Sequence, residues 1–361
     1  MVKEYGYEYD AVLDVKMAEE TTGQCVSHID HGAILLRSGR DALKAVAREY
    51  RKSVAFLPAL SCDSMVVPFR LYSHRISYYR LRKDYSTDFD DLLEMLSEES
   101  GTVLLLYMNY FGNLSMTDDQ LEYIKKHYPN VVFIEDRTHD LIYERQNSFQ
   151  PDYIVASLRK WMNVPDGGLL WAYKSLKNTT FSDDTEFSET RRKAQCMRAE
   201  FFKNGDESIK TEYRKIFSTV TDQIDSCPLP GRMTEYAYRM ALATNWSAIR
   251  NIREDNAAIL TETLAGCSKV NFVQTNIRKS NLYVPILIDN RNLIQQTLAL
   301  KGIFTTLIWP LNHKQKERCE TAEYTEHCML GIPCDQRYSM DDMRFIAQEV
   351  VKTINEQDMK A

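Results

Sequence analysis

The chain has 361 residues, of which 44% are hydrophobic and 27% are charged, and its formal net charge is −6 at pH 7. This length exceeds one ordinary domain, so we expect one large and one smaller globular domain with enough apolar residues for a core. The negative charge argues against nucleic acid or an anionic membrane as a partner, because both are themselves negatively charged.

Sorting signals and cysteine usage indicate the compartment. Residues 1–10 contain no apolar run behind a basic head, and the most apolar window, residues 102–110, is far shorter than a bilayer span. The eight cysteines form no Cys-x-x-Cys pair, so we expect free thiols rather than disulfides. These features predict a cytoplasmic protein.

The first half of the chain alternates short apolar runs with amphipathic stretches. The predicted strands are Ser53–Leu57, Arg75–Tyr79, Val103–Met108, Val131–Glu135, Tyr153–Ala156 and Gly168–Tyr173. The predicted helices are Asp41–Tyr50, Phe89–Ser97 and Asp118–His127, with N-caps at Ser38, Asp88 and Thr117. This alternation predicts an α/β fold whose largely parallel sheet is covered on both faces.

The second half is less regular. Residues 181–224 are charged and lack strand patterning, so we expect helices or surface excursions there. After a break at residues 227–231 the pattern predicts one helical stretch at 234–264, a strand at 283–288 and helices at 293–300 and 340–354. We therefore predict a large domain of residues 1–249 and a smaller C-terminal α/β domain of residues 250–361.

The first polar segment of interest opens a predicted helix with Ser38 and Gly39, followed by Arg40. Backbone N–H groups and the positive end of the helix dipole at such a position favour a phosphate dianion. A plain helix cap is the structural alternative.

The second segment, Glu135 to Asp140, ends a predicted strand. Neighbouring side chains of a strand point to opposite faces, so only one of the first two carboxylates can address a site at the carboxyl edge of the sheet. Asp136 is the better candidate because the apolar strand has ended there. The alternatives are a cap for the following turn and a metal site formed by Asp136, His139 and Asp140.

The third segment, Ser157 to Trp161, follows a predicted buried strand and contains Lys160. An amine in apolar surroundings loses its proton more easily and becomes a nucleophile that forms Schiff bases. The alternative is an ordinary surface lysine. Residues 164–168 contain proline, aspartate and two glycines, which are typical of a turn.

In this order the three segments resemble the site of fold-type I enzymes that depend on pyridoxal 5′-phosphate (PLP), and among them the DegT/DnrJ-type nucleotide-sugar aminotransferases. The resemblance spans roughly residues 30–350 and includes the segments Gly231-Arg232-Met233-Thr234-Glu235, Gly302-Ile303, Trp309-Pro310-Leu311 and Ile332-Pro333-Cys334-Asp335-Gln336-Arg337-Tyr338. It implies a large, mostly parallel-sheet domain followed by a smaller α/β domain.

The resemblance also implies roles for individual residues. Lys160 would hold PLP as a Schiff base and shuttle a proton, and Asp136 would pair with the pyridine nitrogen. His139 would lie beside the cofactor ring. The phosphate group would be bound by Ser38, Gly39, Arg40 and Ser157. The substrate would be faced by His313, Arg159 and Arg337.

The implied reaction is the transfer of an amino group from an amino acid, glutamate in this family, to a keto-sugar nucleotide for amino-sugar and polysaccharide biosynthesis. A homodimer is also implied, because fold-type I enzymes complete their active sites at a two-fold interface. No metal is expected.

Three places depart from the family pattern. Pro230 and Gly231 occupy the place of an asparagine that in many relatives reaches the neighbouring subunit's cofactor phosphate, and Trp161 replaces another asparagine. The loop at residues 61–63 lacks the aromatic or histidine side chain that often stacks on the cofactor, so Tyr107 or Tyr110 would have to replace it.

Other functions stay open at this point. Another PLP reaction, such as dehydration, is disfavoured because family dehydratases carry histidine in place of the lysine. An enzyme for a small non-sugar substrate, or a drifted PLP-fold binding protein, is a further alternative. A metal site would use Cys319, His327, Cys328 and Cys334, but their spacing fits no common zinc pattern and buried thiols explain them as well.

Overall fold

The computed structural model describes residues 3–11, 32–273 and 280–358. Its strands are β1 (Tyr5–Gly6), β2 (Ile34–Leu36), β3 (Val54–Pro58), β4 (Arg75–Tyr79), β5 (Val103–Met108), β6 (Val131–Asp136), β7 (Tyr153–Ser157), β8 (Gly168–Ala172), β9 (Asn271–Phe272), β10 (Val284–Leu287), β11 (Ile303–Phe304), β12 (Thr306–Leu307) and β13 (Met329–Ile332).

The described helices are α1 (Gly39–Glu49), α2 (Asp63–Leu71), α3 (Phe89–Ser97), α4 (Asp118–His127), α5 (Glu186–Asn204), α6 (Glu207–Ser226), α7 (Glu235–Ala243), α8 (Trp246–Ala265), α9 (Arg291–Leu300), α10 (His313–Arg318), α11 (Glu320–Cys328) and α12 (Met340–Asp358). Two short 3₁₀ turns cover Tyr110–Gly112 and Leu158–Lys160. Within the described residues no helix is both long and apolar enough to span a membrane.

A seven-stranded sheet in the order β2-β8-β7-β6-β5-β3-β4 forms the centre of the fold. Strands β7, β6, β5, β3 and β4 are mutually parallel, and β8 runs antiparallel between β7 and β2. Strands β5, β6 and β7 are buried along their whole length, as expected for a parallel sheet covered on both faces. The predicted α/β class is confirmed.

Two strand boundaries matter for the site. The strand predicted to end at Glu135 continues to Asp136, and the next one continues from Ala156 to Ser157. Both polar residues therefore belong to strand ends rather than to the loops that follow, and the sheet fixes the direction of their side chains.

The three residues predicted as N-caps all occupy the cap positions of their helices. Ser38 and Thr117 accept hydrogen bonds from backbone N–H groups of α1 and α4, and Thr117 forms a capping box with Gln120. Asp88 occupies the cap position of α3, but its side chain makes no capping hydrogen bond.

The single helical stretch expected at 234–264 is wrong, because the chain forms two helices there. Helix α7 ends at Ala243, and Asn245 caps α8 by accepting a hydrogen bond from the Ala248 N–H group. The sequence pattern did not indicate this helix end, because the boundary is marked by an asparagine cap and not by glycine or proline. The charged segment at 181–224 forms the helices α5 and α6, which pack through Phe201 and Tyr213.

The last third of the chain surrounds a four-stranded antiparallel sheet in the order β12-β13-β10-β9. The predicted domain boundary at 249/250 falls inside α8. At the start of this helix Trp246 and Ile249 pack in a cluster with Trp161, whereas Leu260 and Leu264 pack in the cluster of the second sheet. The two-domain division stays a proposal.

Candidate active site

A cavity of about 80 Å³ opens at the carboxyl ends of β5, β6 and β7. Met108, Asp136 and Ser157, the last residues of these three strands, all line it. Further lining residues that the sequence had singled out are Gly39, Arg40, His139, Arg159 and Lys160. This edge is the place where parallel α/β sheets bind ligands.

Asp136 presents a carboxylate without a cation partner to this cavity. Its Oδ1 atom accepts a hydrogen bond from the Thr138 N–H group at 2.8 Å, and no ion pair involves Asp136 among the residues that the structure describes. Burial raises the pKa of Asp136, against smaller lowering effects of Thr138 and Lys160. The neighbouring Glu135 does not line the cavity and pairs with Arg145 at 2.7 Å.

Lys160 ends the 3₁₀ turn that follows β7. The turn is anchored on both sides of the lysine, because the Leu158 N–H group donates to the Gly167 carbonyl at 3.1 Å and the Trp161 indole donates to the Thr138 carbonyl at 2.8 Å. Trp161 is fully buried, whereas Lys160 is exposed. The expectation that apolar residues surround the lysine is therefore wrong. The turn buries the neighbours of Lys160 and leaves its amine accessible.

His139 is a buried, neutral ring at the same cavity. Burial, and to a lesser extent Lys160, lowers the pKa of His139 well below its usual range. Its Nε2 atom lies 3.1 Å from the Tyr283 hydroxyl, and its Nδ1 atom has no hydrogen-bond partner among the described residues. Phe111 and Trp309 surround the ring, each with its centroid 5.6 Å away.

The start of α1 brings Gly39 and Arg40, but not Ser38, to the cavity lining. The Ser38 hydroxyl donates to Asp41 Oδ2 at 2.9 Å and accepts from the Asp41 N–H group at 3.1 Å, so it serves as the helix cap. Gly168 of β8 lies so close behind this turn that an added Cβ atom would stand 2.1 Å from the Ser38 carbonyl group. The close approach sets the start of α1 against the sheet.

A second cavity, of about 300 Å³, shares Arg159, Lys160 and Trp309 with the first. Glu8 of the N-terminal segment and Arg337 of the C-terminal segment line it as well. The Arg337 guanidinium is held by Asp335 through two hydrogen bonds of 2.7 and 2.8 Å.

The other candidates for contacts with a ligand lie elsewhere. His313 lines neither cavity, because it begins α10 with 83% of its side chain exposed and pairs with Glu317 at 2.9 Å. Tyr107 and Tyr110 are buried and also absent from both linings. The aromatic side chain that does border both cavities is Trp309.

Two of the residues considered as metal ligands, Asp140 and Cys334, are otherwise engaged. Asp140 pairs with Arg137 at 3.2 Å, and the Cys334 thiol is buried, which raises its pKa to about 12. Within residues 3–11, 32–273 and 280–358 no group of three or more histidine, cysteine, aspartate or glutamate side chains is arranged to hold a metal ion.

Sequence reasoning missed several residues of the two cavities. Thr138 and Trp309 line the first cavity, and Glu8 and Tyr283 line the second. Trp309 belongs to the Trp-Pro-Leu segment, which the sequence analysis used only as part of the family resemblance and not as a site residue. Thr138 lies in the singled-out segment from Glu135 to Asp140, whereas Glu8 and Tyr283 carry no motif and only the fold brings them to Lys160.

Comparison with solved structures identifies the fold. The aminotransferase PseC of Helicobacter pylori, which is involved in the biosynthesis of pseudoaminic acid, is 16% identical, with a TM-score of 0.68 over 98% of this chain and all of its own. Spr1654 of Streptococcus pneumoniae in its PLP form is 14% identical, with a TM-score of 0.66 over 98% and 99% of the two chains.

DesI in the presence of its TDP-sugar product is 17% identical, with a TM-score of 0.65 over 91% of this chain and 82% of DesI. No protein-family model and no curated protein sequence matches the chain. At these identities the likeness shows the fold alone, and it confirms the predicted architecture of fold-type I PLP-dependent transferases.

Proposed function

We propose that this protein is a PLP-dependent aminotransferase that moves an amino group from an amino acid, glutamate in our proposal, to a keto-sugar nucleotide for amino-sugar and polysaccharide biosynthesis. One observation carries the proposal: an unpaired buried carboxylate, Asp136, and an accessible amine, Lys160, border one cavity at the carboxyl edge of the sheet. The similar structures support it, since they include an aminotransferase, a protein in its PLP form and a protein in the presence of its TDP-sugar product.

The residues of the first cavity fit PLP in the chemistry of their donors and acceptors. Asp136 offers an acceptor for a protonated pyridine nitrogen, and Lys160 offers an amine for the aldehyde. Gly39 at the start of α1 and the Ser157 hydroxyl supply donors for a phosphate group. His139 adds a neutral ring whose Nδ1 atom is buried and unpartnered, so a polar group of a ligand has a site there.

PLP, when bound, supplies an electron sink that stabilises negative charge on a carbon of the substrate. The ionised carboxylate of Asp136 would hold a proton on the pyridine nitrogen, because a buried anion favours a cation within reach. The Lys160 amine would bind the cofactor covalently and, once released by the amino donor, would move a proton at the substrate carbon. Neutral His139 would border the ring without adding a competing positive charge.

The second cavity supports a substrate larger than an amino acid. It meets the first at Lys160 and Trp309, and it extends from there to Glu8 and Arg337. Its volume of about 300 Å³ lies at the lower end of the range of sites for drug-sized molecules. A keto-sugar nucleotide could place its carbonyl carbon at the amine and its nucleotide in this space.

We expect glutamate to convert protein-bound PLP to its amine form, and a keto-sugar nucleotide to convert it back. Absorbance spectra of the PLP-loaded protein measure both half-reactions. A panel of nucleotide-linked 3-keto and 4-keto sugars should be tested beside simple 2-keto acids. Return of the spectrum with keto acids alone would assign the enzyme to small metabolites. The absence of conversion by any amino donor would favour the alternative of a drifted binding protein.

The covalent link provides the control for this experiment. Borohydride reduction followed by peptide mass analysis should place the phosphopyridoxyl group on Lys160. The variant Lys160→Ala should carry no such group and should show neither half-reaction. An adduct on another lysine of the wild-type protein would contradict the role given to Lys160.

We further propose that the protein is a cytoplasmic homodimer with a large, apolar interface. The segment around Gly231 packs on its own chain, since its carbonyl accepts a hydrogen bond from the Arg37 N–H group at 2.8 Å, and it leaves the Arg232 side chain 52% exposed. Arg232 pairs with the exposed Asp183 at 3.1 Å, and this exposed pair on a fixed segment offers charged groups to a second subunit. Light scattering at micromolar concentration with PLP should give the mass of a dimer, and a monomer would contradict the proposal.

A further inference from the structure

We propose that Arg159 is a ligand of the cofactor phosphate and that, together with Arg40, it gives the phosphate end of the first cavity two guanidinium groups. This inference rests on the proposed function. It moves Arg159 from the substrate, where the sequence resemblance had put it, to the cofactor. It also makes the phosphate group a main source of binding energy for PLP.

The first observation is that Arg159 has no partner of its own. Among the described residues it makes no hydrogen bond and has no carboxylate within 4.0 Å, and its Nε atom is buried without a partner. Its guanidinium lies over the Phe187 ring, 5.6 Å from the centroid. Burial, followed by the nearby Arg191, lowers the pKa of Arg159 to about 9. Arg159 as a whole is half-buried, and a partly desolvated cation without a partner is costly, so the site favours an anion.

The other arginines of the two cavities differ from Arg159 in this respect. Arg337 is bound by both carboxylate oxygens of Asp335. Arg253 donates to the Tyr9 hydroxyl at 2.7 Å and to two backbone carbonyls. The nearby carboxylate of Glu8 forms an ion pair with Arg191, with 2.7 Å between Glu8 Oε2 and Arg191 Nη2. Among the arginines that line the second cavity in the described part of the chain, Arg159 is therefore the one that an incoming anion can bind without displacing an internal partner.

The position of Arg159 identifies the phosphate as this anion. Arg159 borders both cavities, but Gly39, Arg40 and Ser157 line only the first. Gly39 lies directly against Ser157, because an added Cβ atom would stand 3.2 Å from the Ser157 Cβ atom. The start of α1, the hydroxyl-bearing Ser157 and two arginines thus line the same cavity. Planar guanidinium groups bind phosphate through paired hydrogen bonds, and helix N-termini favour the same dianion.

Arg40 has hydrogen-bonding capacity left for the same ligand. Its Nη1 atom lies 3.2 Å from Asp225 Oδ1, at an angle that makes no hydrogen bond, and its Nε atom is buried without a partner. Arg40 also contributes to the lowered pKa of Arg159, so the two cations repel each other in the absence of an anion. A phosphate dianion between them would remove this repulsion.

The test compares PLP with pyridoxal, which lacks the phosphate group. Equilibrium titrations of the full-length apo protein should show that Arg159→Gln weakens PLP binding by roughly 10- to 100-fold, as expected for one charge-assisted contact, and leaves pyridoxal binding unchanged. Arg159→Lys should restore part of the loss. The matched control Arg239→Gln removes the same charge from an exposed i,i+4 pair with Glu235 and should change neither affinity.

A measurement on the wild-type protein covers the case in which a variant fails to fold. Inorganic phosphate at millimolar concentration should raise the melting temperature of the apo protein and compete with PLP, but not with pyridoxal. If phosphate does neither, or if Arg159→Gln keeps wild-type PLP affinity while the KM for a substrate rises, the inference is wrong. Failure of the wild-type protein to bind PLP at all would instead overturn the proposed function.

Discussion

Asp136→Asn should slow the half-reaction with the amino donor by about 100- to 1,000-fold, the loss typical of removing one preorganised electrostatic group from an active site. Asparagine has the same shape, and its Oδ1 atom can keep the hydrogen bond from the Thr138 N–H group. It has no charge to keep the pyridine nitrogen protonated, so the electron sink weakens. Stopped-flow absorbance with glutamate measures the rate.

The pKa of Asp136 predicts that this variant keeps its fold. Burial raises the pKa of this carboxyl group, so folding disfavours its ionised form. The corresponding cost is absent at low pH and appears as pH rises through the raised folded pKa. At pH 7 the apo variant should therefore be at least as stable as the wild-type protein in urea unfolding.

A carboxylate outside the cavity provides the control. Asp140 is also a buried aspartate, but it pairs with Arg137 and does not line the cavity. Asp140→Asn should keep the half-reaction within a few-fold of the wild-type rate. If Asp136→Asn reacts as fast as Asp140→Asn, Asp136 is a cap of the following turn and has no role at the cofactor.

The parallel sheet could be predicted from the sequence because its strands are continuous apolar runs. Val103–Met108 was predicted with both ends correct. The strands that end at Asp136 and Ser157 were each predicted one residue short, because a polar residue at the end of an apolar run is typical of a loop. In a parallel sheet these last residues face the ligand, so the site begins where the apolar pattern stops.

The residues that line the second cavity could not be predicted from such apolar runs. Tyr283 and Glu8 reach Lys160 from segments more than a hundred residues away along the chain, and neither has a pattern that marks it. His313 shows the opposite case. Its position in a family segment suggested a substrate contact, but α10 turns its side chain to solvent. Local sequence predicts elements, whereas contacts between distant segments depend on the tertiary fold.

Gly168 was expected only as part of a turn, and the structure gives it a stronger role. It pairs with Leu36 on one side and Ser157 on the other, at the point where α1 starts. The Cβ atom of any other residue would stand 2.1 Å from the carbonyl carbon and oxygen of Ser38, and these are backbone atoms that no rotamer change can move. Substitution must therefore push the start of α1 away from the sheet.

We expect Gly168→Ala to lower the free energy of unfolding by about 3 kcal/mol, at the upper end for overpacking of a rigid site. PLP affinity should fall as well, because Gly39 and Arg40 move with Ser38. Urea unfolding and PLP titration measure the two effects. Gly101→Ala is the matched control, since its added Cβ atom meets nothing within 4 Å, and it should change stability by no more than about 0.5 kcal/mol. Equal urea midpoints for the two variants would show that α1 does not lie as close to β8 as the structure places it.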